Sequence, residues 1–449
     1  MQRAILARAT FDEEGHPALH RYPPVHELIE LHGPLDRELL AAAVRLATDD
    51  VDALRGRLRT CGSTVRWVPG PERPPVRLKE VDSGPPLMVA ARSLRAPAYE
   101  PFHLQNDPAA RFLLARTAPD HHLLLIALDH ACADGRTLVL LIRRMLRWYS
   151  ALCGGPGAAP GGFPSFLEFA GQFAAMARER SAAAEYWYRA LRPAAEPGRR
   201  RPAFPGGRWQ PLHDRFTELR TRHALSEQEL RGVRETAAAL GTDRHQLFLA
   251  ATELVVSAWC ESEDGSGAPR FVPLNYFRNG RHRRDWLNVP GPLAEPAVTV
   301  APDSAHGEEP HGLGAWLAGF AAANAASPPF FGQALREFET PETEADRLVL
   351  FNFLPPLGRL RAEGLRVTPC SAELSDALEP DDARNRFGIY VRLLQDLEGP
   401  LVLHVDHDPR VLPDGGPFVA ALLDVIALAG RRPEISTAEA CRFVRAGWG

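Results

Sequence analysis

The segment Ile126-Ala127-Leu128-Asp129-His130-Ala131-Cys132-Ala133-Asp134-Gly135 holds the residues best suited to chemistry. An imidazole and a carboxylate stand four positions apart, and a glycine follows. Near pH 7 a neutral imidazole can take a proton from an attacking amine or hydroxyl. His130 is therefore the candidate general base. Asp134 is short and anionic, and can tie down an arginine from elsewhere in the fold. Gly135 fits a sharp backbone bend before a helix. A histidine satisfied in a core turn would leave the same short pattern, so the surrounding elements carry the decision.

Leu123 to Leu128 is a continuous apolar run, which predicts a buried strand. A polar group at the rim of such a strand is held rigidly, as catalysis requires. Downstream, Leu138, Leu141, Ile142, Met145 and Tyr149 recur at helical spacing, with Arg143, Arg144 and Arg147 largely on the other face. That pattern predicts an amphipathic helix. Upstream, Val25 to Leu31 reads as a strand. Pro34-Leu35-Asp36 then opens a helix with Asp36 as N-cap. In the second half, 226–240 and 245–259 read as helices and 348–354 as a strand. Residues 387–394 and 401–407 read as a hairpin around the turn 396–400. Each half is thus a sheet covered by helices, which places the chain in the α/β class.

The length of 449 residues predicts about three units or two large ones. Proline and glycine cluster at 154–164, 192–207 and 301–310. The middle cluster is the expected linker, dividing an N-terminal lobe 1–195 from a C-terminal lobe 208–449. A net charge of -4 and the lack of basic-aromatic interleaving argue against nucleic acid. Lys79 is the sole lysine, and the arginines are scattered, as base composition of the gene would produce. The first residues carry no apolar run, and no stretch approaches the ~18 apolar residues of a membrane span, so a cytoplasmic protein without membrane contact is expected.

Six widely spaced cysteines without C-x-x-C spacing predict reduced thiols and no zinc knuckle. Cys132 reads as a small packing residue. On a strand, His404 and Asp406 share a face that His407 does not, and two ligands do not make a zinc site, so no metal site is expected. His121-His122 reads as a solvent-exposed strand start, and His306 and His311 as solvated loop residues. No G-x-S-x-G elbow, phosphate loop or dinucleotide fingerprint is present.

The segment around His130 resembles the His-His-x-x-x-Asp-Gly signature of non-ribosomal peptide condensation domains, a family within the chloramphenicol-acetyltransferase-fold superfamily. The likeness extends along most of the chain. Gly33-Pro34-Leu35-Asp36 to Leu54-Arg55-Gly56-Arg57 is similar to the family's first helix and its Leu-Arg element. Ser165-Phe166-Leu167-Glu168-Phe169 and Glu185-Tyr186-Trp187-Tyr188-Arg189-Ala190-Leu191 resemble its Tyr-Trp-x-x-x-Leu segment. Leu225-Ser226-Glu227 through Thr242 resembles the start of its second lobe. Phe351-Asn352-Phe353 resembles its Phe-Asn-Tyr strand, and His404 to Asp408 its last core strand.

The resemblance implies two similar lobes in a V with a central tunnel. It implies transfer of an acyl or aminoacyl group from a carrier-protein phosphopantetheine thioester to an amine or alcohol in specialised-metabolite assembly. The carrier would act in trans, and no bound cofactor is needed. His130 would be the catalytic residue. Asp134 and Gly135 would be structural, with Arg281 from Val272 to Arg281 as the partner of Asp134 and Arg278 as the alternative. Asn352 and Asp129 would contact substrate. Asp129 replaces the first histidine of the family pair, a position often replaced in relatives that acylate hydroxyls. It is expected to point to the other side of the strand end from His130. The family's Gly-x-Phe-x-Asn-Thr stretch is poorly matched, Leu287-Asn288-Val289-Pro290-Gly291 being nearest. The Asp-Phe-Gly-Trp-Gly motif of plant acyltransferases is absent. Two other readings stay open: an acyl-CoA-dependent O-acyltransferase, and a catalytically silent docking platform for a carrier protein or tailoring enzyme.

Overall fold

The structure is a computed structural model. It describes residues 10–11, 17–18, 24–61, 64–68, 76–81, 84–100, 102, 107–156, 159–179, 181–191, 202–207, 218–260, 271–302, 312–328, 349–354, 357–371, 374–375, 377–378, 387–395 and 401–448. Most of the expected linker, the loop holding His306 and His311, and the turn 396–400 lie outside these residues.

The chain forms two compact units. The first takes Met1–Glu179, Asn279–Ala294 and Leu357–Ala383, and the second takes the remainder. Two stretches from the second half of the sequence thus complete the first unit.

In the first unit, β1 (Val25–His32), β2 (Leu78–Val81), β3 (Ala110–Ala118) and β4 (His121–Leu128) join Arg366–Pro369 in one sheet. The order is Arg366–Pro369, β1, β4, β3, β2. All neighbours run antiparallel except β2 and β3. Helices α1 (Arg37–Thr48), α2 (Leu87–Tyr99), α3 (Gly135–Leu152) and α4 (Phe166–Glu179) accompany it. From Leu123 to Leu128 the central strand β4 is apolar because both its faces are covered. Leu124, Ile126 and Leu128 share a core with Leu40 and Val44 of α1 and Leu141, Ile142 and Met145 of α3. Leu123 and Leu125 pack with Ala90, Ala91 and Leu94 of α2. Asp36 caps α1 by accepting from the Leu39 N–H at 3.0 Å, as its place before the apolar periodicity predicts.

One arginine departs from the amphipathic reading of α3. Arg144 is buried and reaches the Asp50 carboxylate with both terminal nitrogens, at 2.5 and 2.8 Å. A buried guanidinium is tolerable there because a planar carboxylate answers its fork. Helical spacing alone does not register such a partner 94 positions away. His122 is a second departure. It is buried rather than exposed, whereas its neighbour His121 is half-exposed.

The second unit carries α5 (Ser181–Leu191), β5 (Leu219–Ala224), α6 (Glu227–Ala239), α7 (Arg244–Ala258), β6 (Asn275–Asn279), β7 (Ala294–Val298), α8 (Leu313–Ala326), β8 (Val349–Leu354), β9 (Ile389–Gln395), β10 (Leu401–His407), α9 (Gly415–Arg431) and α10 (Thr437–Ala446). The sheet order is β7, β6, β8, β9, β10, β5. β6, β8 and β9 run parallel, while β9 and β10, and β10 and β5, pair antiparallel. Tyr276, Phe351, Val391, Leu403 and Val405 line one face and share a core with Leu247, Phe320, Phe418 and Leu422 of the helices. Alternation then puts Asn352, Arg392, His404 and Arg222 in register on the opposite face.

Candidate active site

His130 follows the last residue of β4 in a tight turn. The Asp129 carbonyl accepts the N–H groups of both Cys132 and Ala133 at 3.0 Å, and the Asp129 N–H donates to the carbonyl of Ala109, just before β3. Asp129 Oδ1 accepts the Ala131 N–H at 2.8 Å, so the carboxylate is engaged in shaping the turn. Ala131, Cys132 and Ala133 are buried, and Cys132 belongs to the core shared with α1 and α3. The turn is thus anchored by packing while His130 keeps part of its surface open.

Asp134 closes the turn and caps α3. Its Oδ1 accepts from the N–H and hydroxyl of Thr137, each at 2.8 Å, and from Arg281 Nη2 at 3.1 Å. Its Oδ2 accepts from Arg281 Nη1 at 2.8 Å, Leu293 N–H at 2.9 Å and Ala294 N–H at 2.8 Å. The pair is sealed, with side-chain exposures of 1 % for Arg281 and 2 % for Asp134. Arg281 also donates to the Val289 carbonyl from Nε and Nη2. Thr137 Oγ1 accepts the Gly291 N–H at 2.8 Å. A buried charge is costly unless paired and hydrogen-bonded, and both conditions are met here. Burial alone would raise the Asp134 pKa. The Arg281 charge, with hydrogen bonds from Arg281 and Thr137, overrides it and holds the carboxyl below its ordinary value.

The structure therefore brings His130, Asp134, Gly135 and Arg281 into one neighbourhood. Arg278 goes elsewhere, donating to Ser327 Oγ at 2.8 Å and the Pro328 carbonyl at 3.1 Å. Gly135 differs from its expected role. Its φ lies outside the left-handed region, and a Cβ there would meet nothing within 4 Å. The turn 129–134 and the cap make the bend, so no glycine is needed for it. Asn352 lies on β8 of the second unit and donates to the Tyr390 hydroxyl at 3.0 Å.

His130 has its pKa lowered. Burial is the largest cause, opposed by backbone hydrogen bonds at His130 and Ala133 and by the Asp134 charge. The imidazole is neutral at pH 7, the form a base requires. Thr137 and the Leu293 and Ala294 N–H groups were not legible as site residues. Asp134 and Thr137 at N-cap spacing, with Pro290-Gly291-Pro292 as a turn signal, were the available hints.

The model of the condensation domain matches residues 20–266, more than half of the chain and including His130 and Asp134. This chain belongs to the condensation-domain family. Among curated relatives, the condensation domain is 30 % identical over 154 residues to nonribosomal peptide synthetase dtxS1 of Metarhizium robertsii, 33 % of this chain and 2 % of that protein. It is 32 % identical over 126 residues to cyclosporin synthetase simA of Tolypocladium inflatum, 27 % of this chain and 1 % of that protein. It therefore spans a very small part of the length of these relatives.

Solved structures share the fold. SgcC5 from Streptomyces globisporus, in complex with a naphthyl ethanediol and sucrose, gives a TM-score of 0.66 at 17 % identity, covering 92 % of this chain and 93 % of that one. The starter condensation domain of rhizomide synthetase in complex with C8-CoA gives 0.69 at 17 %, covering 93 % and 91 %. The X-domain from teicoplanin biosynthesis, in complex with OxyB, gives 0.69 at 16 %, covering 98 % and 94 %.

Proposed function

We propose that this condensation domain transfers an acyl or aminoacyl group from a carrier-protein phosphopantetheine thioester to an amine or hydroxyl. The observation that carries this reading is a neutral, partly open His130 at the end of a buried strand, in a turn locked by the Asp134–Arg281 pair. The acceptor attacks the thioester carbonyl carbon and forms a C–N or C–O bond. His130 takes the acceptor's proton. The tetrahedral oxyanion then collapses, the C–S bond breaks, and the imidazolium returns the proton to the departing thiolate. Atoms and charge balance without metal or redox cofactor, so the protein supplies position and one proton relay. Asp129 acts through the shape of the turn that presents His130. Asn352, half-exposed on the polar face of its sheet, hydrogen-bonds substrate.

Acyl-CoA as donor and a hydroxyl as acceptor form the second reading. It is favoured by Asp129 in place of the first histidine, by the C8-CoA complex of the rhizomide domain and by the diol complex of SgcC5. The X-domain complex with OxyB is the precedent for a docking platform. A pure platform has no need of the neutral His130 and its locked turn, which weighs toward catalysis.

The test offers one acyl group on carrier protein and on CoA, with pooled amines and alcohols, and reads products by mass spectrometry. A new amide or ester from the carrier-bound donor supports the proposal. Product from CoA alone moves the assignment to the O-acyltransferase reading. Carrier binding without product from either donor moves it to the platform.

A further inference from the structure

At the end of β4 away from His130, about 23 Å along the strand from Leu128 at ~3.3 Å per residue, two histidines and a glutamate converge. His32 ends β1 and His121 begins β4, and the two stand directly opposite each other in the ladder. Glu30 lies two residues before His32 on β1, on the same face. Glu30 Oε2 is 2.9 Å from His121 Nε2 and 3.4 Å from His32 Nε2. The two imidazoles stack with centroids 4.2 Å apart and planes 17° apart. One ligand atom from each residue lies within 4.8 Å of the other two.

We propose that Glu30, His32 and His121 form a binding site for one divalent transition-metal ion of the zinc class, with water completing its coordination. Ligand atoms around a four-coordinate ion with bonds of ~2.1 Å stand roughly 3.4 Å apart. The His32–Glu30 separation already has that value, and the His121–Glu30 contact needs to open by about half an ångström. Side-chain exposures of 16 % for Glu30, 25 % for His32 and 24 % for His121 leave room for ion and water to enter. The backbone beneath is fixed. The Gly33 N–H donates to the Asp120 carbonyl at 2.9 Å, and the Thr117 hydroxyl donates to the His121 carbonyl at 2.9 Å.

A hydrogen-bonded ion pair would use one histidine. Here both Nε2 atoms turn toward one carboxylate oxygen, and two protonated rings in a stack repel each other. Arg366 stands opposite His32 in the ladder. A neutral imidazole is the form that binds metal. The set is invisible as a sequence motif because Glu30 and His121 are 91 positions apart.

The test titrates Zn2+ into the full chain, freed of metal by chelator, by calorimetry. The expected result is one saturable site per chain, weakened at least tenfold in His32→Ala and in His121→Ala and also weakened in Glu30→Gln. At equal concentration Zn2+ should also raise the melting temperature of the wild type more than that of any variant, because a ligand of the folded state stabilises it. Co2+ absorption on the unmutated chain gives a second readout, with d–d bands of a histidine and carboxylate ligand field expected. No saturable binding by the wild type, or binding unchanged in both histidine variants, would overturn the site. Acyl transfer plays no part in these measurements.

Discussion

At the scale of single residues, Arg281 illustrates how a charge becomes structural. Its guanidinium and the Asp134 carboxylate are removed from water together, and each finds partners for its remaining donors or acceptors. Removing one member strands the other. Arg281→Ala should therefore cost on the order of 3 kcal/mol of stability in urea unfolding, whereas the exposed pair Arg283–Asp285 should cost well under 1 kcal/mol when broken. Equal costs would refute the structural role of the buried pair. His130 makes a kinetic prediction. Burial lowers its pKa, so the basic form persists below the usual histidine value. The acid limb of kcat/KM should fall below pH ~6.5. A limb above that value would mean that another group, or a differently solvated His130, sets the profile.

At the scale of elements, the site is a strand end, a turn and a helix cap, clamped by the stretch Asn279–Ala294 from much later in the sequence. The two glycines of this arrangement differ in kind. Gly135 has ordinary backbone and open space around it, while Gly291 has φ 154° and would place a Cβ 2.4 Å from Phe166 Cδ2. Gly135→Ala should leave the melting temperature unchanged or slightly raised, since alanine favours a helix. Gly291→Ala should lower stability by about 1–3 kcal/mol. The opposite ranking would show that the helix start is the strained point. Much of this was legible in the residues. The apolar run Leu123–Leu128 announced a strand covered on both faces, and Asp36 announced a helix start. The six-residue pattern around His130 marks the turn that the Asp134–Arg281 pair locks. Partners across long separations were not legible. Periodicity reports which face a side chain takes, but not that Asp50 waits for Arg144, nor that Leu293 and Ala294 bring their N–H groups to Asp134. For the same reason the glycine after Asp134 reads as a bend that the turn and the cap supply.

At the scale of the whole molecule, both units are mixed sheets with helices, and both bury histidines. His32, His122, His130, His245, His404 and His407 all have folded pKa values lowered first by burial. His404 falls to about 4. Such groups bind protons more readily in the unfolded chain. Stability should therefore be full above pH ~6.5 and decline as pH falls through the window below it, with His404 alone contributing up to about 3 kcal/mol between ~6.5 and its folded value. Asp134 extends the loss into the carboxylate range, because its folded pKa is also depressed. Urea titrations from pH 8 to pH 4 read this directly, and stability that stays flat from pH 7 to pH 5 would contradict it.

The most direct measurement compares single-turnover acyl transfer by the wild type and by His130→Ala, with the best donor and acceptor and with folding of the variant verified by its melt. Loss of about 100-fold or more, the usual consequence of removing a general base, is the predicted result. A variant that folds and transfers at the wild-type rate would remove His130 from the chemistry.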